Sequence, residues 1–126
     1  MKRPFISVII TAYNRREFIR DAVNSIINSM LPEDEYEIIV IKNFRDEYVD
    51  NIVEKIGGKS IFTNLISIGA KAALGIDAAE GDVITFLEDD DMYLPDRLEI
   101  IRKVFDNDPS LIYYHCLLYT SDAADE

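Results

Sequence analysis

The chain alternates between short apolar runs and longer segments in which apolar residues recur every three or four positions. The short runs are typical of strands buried on both faces, and the three-to-four spacing is typical of amphipathic helices. The predicted strands are 5–11, 37–42, 60–66, 82–87 and 111–115, and the predicted helices are 16–28, 46–56, 68–79 and 95–107. This order favours an α/β fold, with a mostly parallel sheet and helices on both faces.

The helical stripes also predict which side chains face the core. Phe18 belongs to the stripe of the first helix, and Tyr48 belongs to that of the second. We expect both aromatic rings to be buried, because apolar residues at this spacing share one helix face.

Three loops follow predicted strands at the same edge of the sheet. They are Thr11 to Asn14, Lys42 to Phe44, and the acidic quartet Glu88 to Asp91. In open parallel sheets, ligands bind beyond the carboxyl ends of the strands. We therefore expect the three loops to converge on one binding site.

The acidic quartet carries the clearest chemical signal in the chain. Its four carboxylates follow a buried strand without interruption, and carboxylates this close repel one another unless a positive group is present. Hard divalent cations such as Mg²⁺ or Mn²⁺ prefer oxygen ligands and often bring a phosphate with them. A solvated acidic loop that caps the next helix is the alternative interpretation.

Composition narrows the classes of function. The 126 residues predict one domain, and the net charge of -11 argues against nucleic acid or an anionic membrane as a partner. No apolar stretch is long enough to span a bilayer, so a cytoplasmic location is the default expectation. The single cysteine, Cys116, excludes an internal disulfide and a cysteine-based metal site.

The last eleven residues, 116–126, follow no period of the preceding fold. They resemble the translation of a transposon end and adapter used in sequencing libraries. Our interpretation is that residues 1–115 are an incomplete domain and that 116–126 is a non-native tail. A genuine acidic C-terminal tail is the alternative, and native sequence continuing differently past His115 in longer reads would support the first interpretation.

Three segments together resemble the donor-binding half of family 2 glycosyltransferases, which have the GT-A fold, a Rossmann-like nucleotide-binding architecture. The resemblance runs from Phe5 to about His115, and the segments that carry it are FISVIITAYNRREFIRDAVNSI, EIIVIKNF and GDVITFLEDDDMYLPDRLEII. It implies a nucleoside-diphosphate sugar donor, typically a UDP- or GDP-sugar, a divalent metal, and transfer to the hydroxyl of a glycan, lipid or protein acceptor.

The resemblance implies roles for particular residues. Thr11, Ala12 and Tyr13 would line the nucleotide pocket, with the Tyr13 ring against the base. Asp90 would be the metal ligand of a DXD-like motif. Glu88 or Asp89 would reach the ribose hydroxyls or a water on the metal.

Two positions depart from the family pattern. The loop after the second strand usually carries two aspartates, but here the residues are Lys42 and Asn43. Asn43 can still accept a hydrogen bond from a base and can also donate one. Lys42 is expected to be solvated, and pairing with a carboxylate or a phosphate is the alternative. Lys71 is a candidate second cation for the diphosphate, although the Arg-Asn pair that often follows this point is Ala72-Ala73 here.

The resemblance also implies an inverting transfer that needs a general base, usually a carboxylate. No residue between Ile112 and Glu126 fits that role, so we expect this chain to hold the donor without transferring the sugar. Membrane association of a longer protein through a C-terminal region stays open.

Two alternatives use the same residues. A sugar-phosphate nucleotidyltransferase shares a related fold and metal use, but it usually has a glycine-rich basic loop after the first strand. Here that loop has Arg15 and Arg16 without a nearby glycine. A non-catalytic nucleotide-binding module is the other alternative.

Overall fold

The computed structural model describes residues 4–15, 17–88, 92 and 95–107. Strands and helices alternate along the chain, as the apolar pattern predicts. The strands are β1 (Ile6–Ala12), β2 (Tyr36–Lys42), β3 (Lys59–Phe62) and β4 (Val83–Glu88). The helices are α1 (Ile19–Ile27), α2 (Glu47–Lys55), α3 (Ile68–Ala78) and α4 (Arg97–Asn107), and a short 3-10 helix precedes β2 at Glu33–Glu35.

The four strands form one parallel sheet in the order β3-β2-β1-β4. This confirms the predicted α/β class and the parallel pairing. The predicted strand at 111–115 and the predicted tail at 116–126 lie outside the described residues.

Successive side chains along each strand point to opposite faces of the sheet, so the core has two layers. One layer takes Ile6, Val8 and Ile10 of β1, and helices α1, α2 and α4 cover it. The other takes Ile9 of β1 with neighbouring isoleucines of β2, and Leu74 and Ala78 of α3 pack against it. The sheet is therefore covered on both faces, with α3 on a face of its own within the described part of the chain.

Two predicted core aromatics are instead exposed. Phe18 precedes the first residue of α1 and is 42% exposed, and Tyr48 in the first turn of α2 is also 42% exposed. Tyr48 lies under the guanidinium of Arg20, 4.8 Å from the ring centroid, and its hydroxyl donates to Asn24 Oδ1 over 3.2 Å. Each ring instead contacts a guanidinium group, since Arg15 lies 5.5 Å from the Phe18 ring centroid as Arg20 does from Tyr48 at 4.8 Å.

Strand β3 is shorter than predicted, with four residues at Lys59–Phe62 in place of 60–66. It lies at the edge of the sheet beside β2, and its side chains alternate between half-buried and exposed. An edge strand has one bonded neighbour. Beyond Phe62 the Thr63 backbone N–H still donates to the Lys42 carbonyl oxygen over 2.9 Å, and residues 63–66 are irregular.

The amino ends of the strands are joined by buried polar groups, which we call the amino-end polar cluster. The Ser7 hydroxyl donates to Glu37 Oε2 over 2.6 Å and accepts from the Gly81 backbone N–H over 2.8 Å. Glu37 Oε2 also accepts from the Glu80 backbone N–H, and its Oε1 lies 3.4 Å from Lys59 Nζ. Ser7 and Glu37 are buried, so these hydrogen bonds supply the partners that such groups need.

Within the described residues, no helix combines the length and the apolar character that crossing a membrane requires.

Candidate functional site

The carboxyl ends of three strands meet at one edge of the sheet. Ala12 of β1 is paired in register with Lys42 of β2, and Thr11 is paired with Glu88 of β4. This register brings the carboxyl ends of β1, β2 and β4 side by side, and the loop after β4 lies outside the described residues. The Ala12 side chain is buried in the core, so a ligand at this edge can reach only its main chain.

The ring of Tyr13 and the ammonium group of Lys71 form the first contact of the site. Tyr13 follows β1 and is 38% exposed, and Lys71 lies in the first part of α3 with only 3% exposure. Lys71 Nζ is 4.6 Å from the ring centroid, a distance typical of a cation–π interaction. Helix α3 is held at its start by the Ser67 hydroxyl, which accepts from the Ala70 N–H. The structure thus brings two predicted site residues together from different elements.

Asn14 and Asn43 form the second contact. The backbone N–H of Asn14 donates to Asn43 Oδ1 over 2.8 Å, and Asn43 Nδ2 donates to Asn14 Oδ1 over 2.8 Å. Asn14 has a φ of 63°, the left-handed conformation that asparagine tolerates better than most residues. This reciprocal pair, which we call the Asn14–Asn43 clasp, joins the loop after β1 to the loop after β2.

The expectation that Lys42 is solvated is wrong. Lys42 is 3% exposed, and its ammonium group lies 2.7 Å from Asp50 Oδ1 in α2. The Ser60 hydroxyl of β3 donates to the same oxygen over 2.5 Å. Burial raises the pKa of Asp50, but the hydrogen bonds from Lys42 and Ser60, with the charges of Lys42 and Arg45, outweigh it. The pKa of Asp50 is therefore lowered below its ordinary value.

The acidic quartet begins at Glu88, the last residue of β4. Asp89 and Asp90, which the sequence predicts to contact the nucleotide and the metal, lie outside the described residues. Among residues 4–15, 17–88, 92 and 95–107, no group of three or more acidic, histidine or cysteine side chains is placed to hold a metal ion. The metal ligand therefore stays a prediction from sequence.

An open cleft of about 770 Å³ lies between the start of α1 and the start of α2. Its charges are partly paired, because Arg20 lies 3.4 Å from the buried carboxylate of Asp46, which also caps α2 by accepting from the Val49 N–H. The cleft is lined by Glu17, Arg20, Arg45, Asp46, Glu47 and Tyr48.

The carboxyl edge thus offers an aromatic face, a buried cation behind it, a pair of fixed amides and the start of an acidic segment. These groups suit a ligand that combines a base with negative charge. Sequence reasoning assigned no role to Asn14. A signal was present, since asparagine directly after a strand often adopts a left-handed turn conformation.

A sequence profile described as Glycosyl transferase family 2 matches residues 7–125. A curated relative, an uncharacterized glycosyltransferase of Haemophilus influenzae, is 32% identical over 105 residues. That match covers 79% of this chain and 41% of the relative, so the chain spans about two fifths of the relative's length.

Solved structures of similar fold hold nucleotide sugars. Residues 1–349 of Staphylococcus aureus TarS in complex with UDP-GlcNAc match with a TM-score of 0.70 and 25% identity, over 82% of this chain and 31% of that chain. A mannosyltransferase from Pyrobaculum calidifontis, in complex with GDP-Man and Mn²⁺, matches with a TM-score of 0.70 and 19% identity, over 86% of this chain and 34% of that chain.

Proposed function

Because the chain belongs to glycosyl transferase family 2 and has the GT-A fold, we propose that it forms the nucleotide-sugar-binding part of a glycosyltransferase. The whole protein would transfer a sugar from a nucleoside-diphosphate donor to an acceptor hydroxyl. The observation that carries this proposal is that the carboxyl ends of β1, β2 and β4 meet at one sheet edge, with Thr11 paired to both Ile41 and Glu88.

The base of the nucleotide would lie against the exposed face of the Tyr13 ring. Aromatic rings stack on bases, and the buried Lys71 cation lies 4.6 Å from the ring centroid. Main-chain groups of Thr11 and Ala12, at the end of β1, would pair with the base edge, as would the side chain of Asn43. Relatives of this fold are solved with UDP-GlcNAc and with GDP-Man, which supports a UDP- or GDP-sugar as donor.

Lys71 would act on the diphosphate mainly through its field. Its side chain is buried and turned toward Tyr13, so its positive charge is screened less than that of an exposed lysine. A cation in this position favours the anionic end of a nucleotide bound over the same ring.

The carboxylate groups of the acidic quartet are suitable ligands for Mg²⁺ or Mn²⁺. Carboxylate oxygens are the ligands that these hard cations prefer, and β4 delivers the first residue of the quartet to the same edge as Thr11. Asp90 would hold the metal, and Glu88 and Asp89 would contact the nucleotide. When bound, the metal would neutralise charge that grows on the departing nucleoside diphosphate.

Transfer itself would need an acceptor site and a general base that deprotonates the acceptor hydroxyl. We expect the chain to bind the donor without transferring the sugar, because no residue between Ile112 and Glu126 fits the role of the base that the family resemblance implies. The acceptor would be a glycan, lipid or protein hydroxyl.

A calorimetric titration of the 126-residue chain with UDP and GDP, with and without Mn²⁺, tests the proposed donor site. We expect binding that depends on the metal, and Asp90→Asn should remove that dependence while leaving the chain folded. Asp82→Asn, one residue before β4, is the matched control and should bind as the unaltered chain does.

Metal-independent binding, or no binding by a folded sample, would overturn the donor site. Tighter binding of a nucleoside triphosphate, with release of pyrophosphate when a sugar phosphate is added, would instead support a nucleotidyltransferase. Sugar transfer by the printed chain would contradict the missing base.

A further inference from the structure

The cleft of about 770 Å³ between the start of α1 and the start of α2 takes no part in the proposed nucleotide site. Side chains join its two walls. The Tyr48 hydroxyl of α2 donates to Asn24 Oδ1 of α1 over 3.2 Å, and Arg20 of α1 lies 3.4 Å from the carboxylate of Asp46, the residue that caps α2. The cleft is therefore held in shape by links between two helices, and its volume lies in the range typical of small-molecule sites.

The Tyr48 ring provides the cleft with an aromatic surface. The Arg20 guanidinium lies over one face of the ring, 4.8 Å from its centroid, and 42% of the tyrosine is still exposed. A phenol has an apolar body and a polar tip, which suits a ligand that has both kinds of surface. A sugar ring is such a ligand, because its C–H groups form an apolar face and its hydroxyl groups lie around the rim.

The cleft carries charges of both signs. Two guanidinium groups and three carboxylates line it, from Arg20, Arg45, Glu17, Asp46 and Glu47. Glu17, Arg45 and Glu47 are exposed, and the ion pairs among the described residues involve none of these three. A strongly anionic or cationic ligand would be attracted by one part of this lining and repelled by another, so the lining favours neither.

Hydroxyl groups match this lining better than charged groups do. A hydroxyl can donate to a carboxylate and accept from a guanidinium, whereas a ligand carboxylate can only accept and a ligand ammonium group can only donate. Hydrogen bonds to charged partners are also about twice as strong as those between neutral groups. An uncharged ligand with many hydroxyl groups can therefore bind both kinds of side chain at once.

We propose that the cleft between the starts of α1 and α2 binds an uncharged oligosaccharide, with a sugar ring on Tyr48 and hydroxyl groups on Arg45 and Glu47. This site differs from the proposed nucleotide site in position as well as in residues. Helices α1 and α2 cover one face of the sheet, whereas Lys71, which contacts Tyr13, comes from α3 on the other face. Binding of the oligosaccharide requires neither a nucleotide nor a metal.

Titration calorimetry with three uncharged tetrasaccharides, of glucose, of mannose and of N-acetylglucosamine, tests the site on the 126-residue chain without nucleotide or metal. We expect at least one of them to bind. Its dissociation constant should change by less than about 2-fold between about 0.1 M and about 1 M salt, because screening weakens attraction between charges and not contacts with a neutral ligand. A tetramer of galacturonic acid and a tetralysine peptide, the charged comparisons, should bind more weakly.

Two substitutions at exposed positions test the assigned contacts. Tyr48→Ala removes the aromatic surface and should weaken binding of the tetrasaccharide by about 3- to 10-fold. Glu47→Ala removes a hydrogen-bond acceptor and should weaken binding by a similar factor. The matched controls are Phe62→Ala and Glu54→Ala, which remove an exposed aromatic ring and an exposed α2 carboxylate outside the cleft. Both controls should bind as the unaltered chain does.

Competition with UDP and Mn²⁺ shows whether the two sites are separate. The tetrasaccharide should bind equally well with and without them, because the nucleotide would lie over Tyr13. Failure of all three tetrasaccharides to bind a folded sample would overturn the site. Competition with UDP, loss of binding at high salt, tighter binding of either charged ligand, or an unchanged dissociation constant in Tyr48→Ala or Glu47→Ala would each do the same.

The two ligands also distinguish the cleft from the proposed function. A chain that binds a tetrasaccharide in the cleft but no nucleoside diphosphate supports the cleft and overturns the donor site. A chain that binds UDP with Mn²⁺ but no tetrasaccharide overturns the cleft alone.

Discussion

A lysine ammonium group is buried at the carboxyl end of β2 because an aspartate from the next helix meets it there. Lys42 Nζ lies 2.7 Å from Asp50 Oδ1, and the Ser60 hydroxyl donates to the same oxygen. The two partners are unequal, since the side chain of Lys42 is 3% exposed and that of Asp50 is 37% exposed. Removing the Asp50 carboxylate therefore leaves the buried ammonium group of Lys42 without this anionic partner. Removing the Lys42 ammonium group leaves a carboxylate that water can reach.

This asymmetry predicts that Asp50→Asn destabilises the chain more than Lys42→Met. We expect a loss of about 1–2 kcal/mol for Asp50→Asn, because exposure of the aspartate weakens the pair, and a smaller loss for Lys42→Met. Urea unfolding at neutral pH measures both.

The same pair predicts a response to acid. The pKa of Asp50 is lowered from 3.8, so its contribution to stability is present above that pH and is lost as the pH falls through the lower folded value. In that acid range, the free energy of unfolding of the unaltered chain should fall toward that of Asp50→Asn. Equal free energies of unfolding for both variants at neutral pH, or an advantage that persists in acid, would contradict the pair's role.

At the scale of elements, helix α3 contains one glycine in a crowded position, Gly75, and one in an open position, Gly69. A Cβ on Gly75 would lie 2.6 Å from Ile9 Cγ2 of β1, a contact that neither the helix nor the strand can accept without moving. A Cβ on Gly69 would meet only Ser67 Oγ at 3.6 Å, an ordinary contact. Gly75 thus allows α3 to pack closely on β1, and Gly69 does not limit the packing.

Alanine substitutions in α3 should therefore act in opposite directions. Gly75→Ala should destabilise the chain by about 1–3 kcal/mol through overpacking. Gly69→Ala should stabilise it by about 0.4–1 kcal/mol, because alanine restricts the unfolded chain and favours the helix. Thermal unfolding of both variants gives the sign directly, and a stabilising Gly75→Ala would refute the close packing of α3 on β1.

The periodicity of apolar residues predicts the positions of the helices better than the burial of their individual side chains. The predicted helix at 68–79 is observed as Ile68–Ala78, because its apolar spacing and the following Gly81 are local signals. The expected burial of Phe18 and Tyr48 is wrong: both lie at the start of a helix, and periodicity along the sequence does not show which end residues of a helix face the core.

The candidate site was less predictable than the fold. Convergence of the strand ends follows from parallel pairing and was predicted from sequence. The partners of Lys42 and Asn43 were not, since Asp50 and Asn14 meet them only when separate elements pack together. Tertiary contacts of this kind leave no periodic signal in the chain.

At the scale of the whole molecule, the two ends of the sheet have different contents. The amino-end polar cluster ties Ser7, Glu37 and Lys59 to the connection between α3 and β4. The carboxyl end carries the Asn14–Asn43 clasp and the contact between Tyr13 and Lys71. The strands separate these groups, so we expect substitutions in the amino-end polar cluster and in the Asn14–Asn43 clasp to affect different properties.

Ser7→Ala tests that separation. It leaves the Gly81 N–H without its acceptor and removes one donor from buried Glu37, so we expect a loss of about 1–3 kcal/mol in the free energy of unfolding. The dissociation constant for the nucleotide should stay unchanged. Asn43→Ala should show the reverse, with altered binding and little change in unfolding. A Ser7→Ala variant that unfolds like the unaltered chain would contradict the role of the cluster.

The amino-end polar cluster has a consequence for how such a chain can diverge. The cluster lies at the amino end of the sheet, so substitutions in the exposed loops at the other end leave its hydrogen bonds intact. Position 43 can then change between acidic and amide residues while the scaffold is inherited intact, whereas position 42 is constrained by the pair of Lys42 with Asp50. A lineage built this way can change which nucleotide it accepts through a few substitutions, without first acquiring compensating mutations in its core.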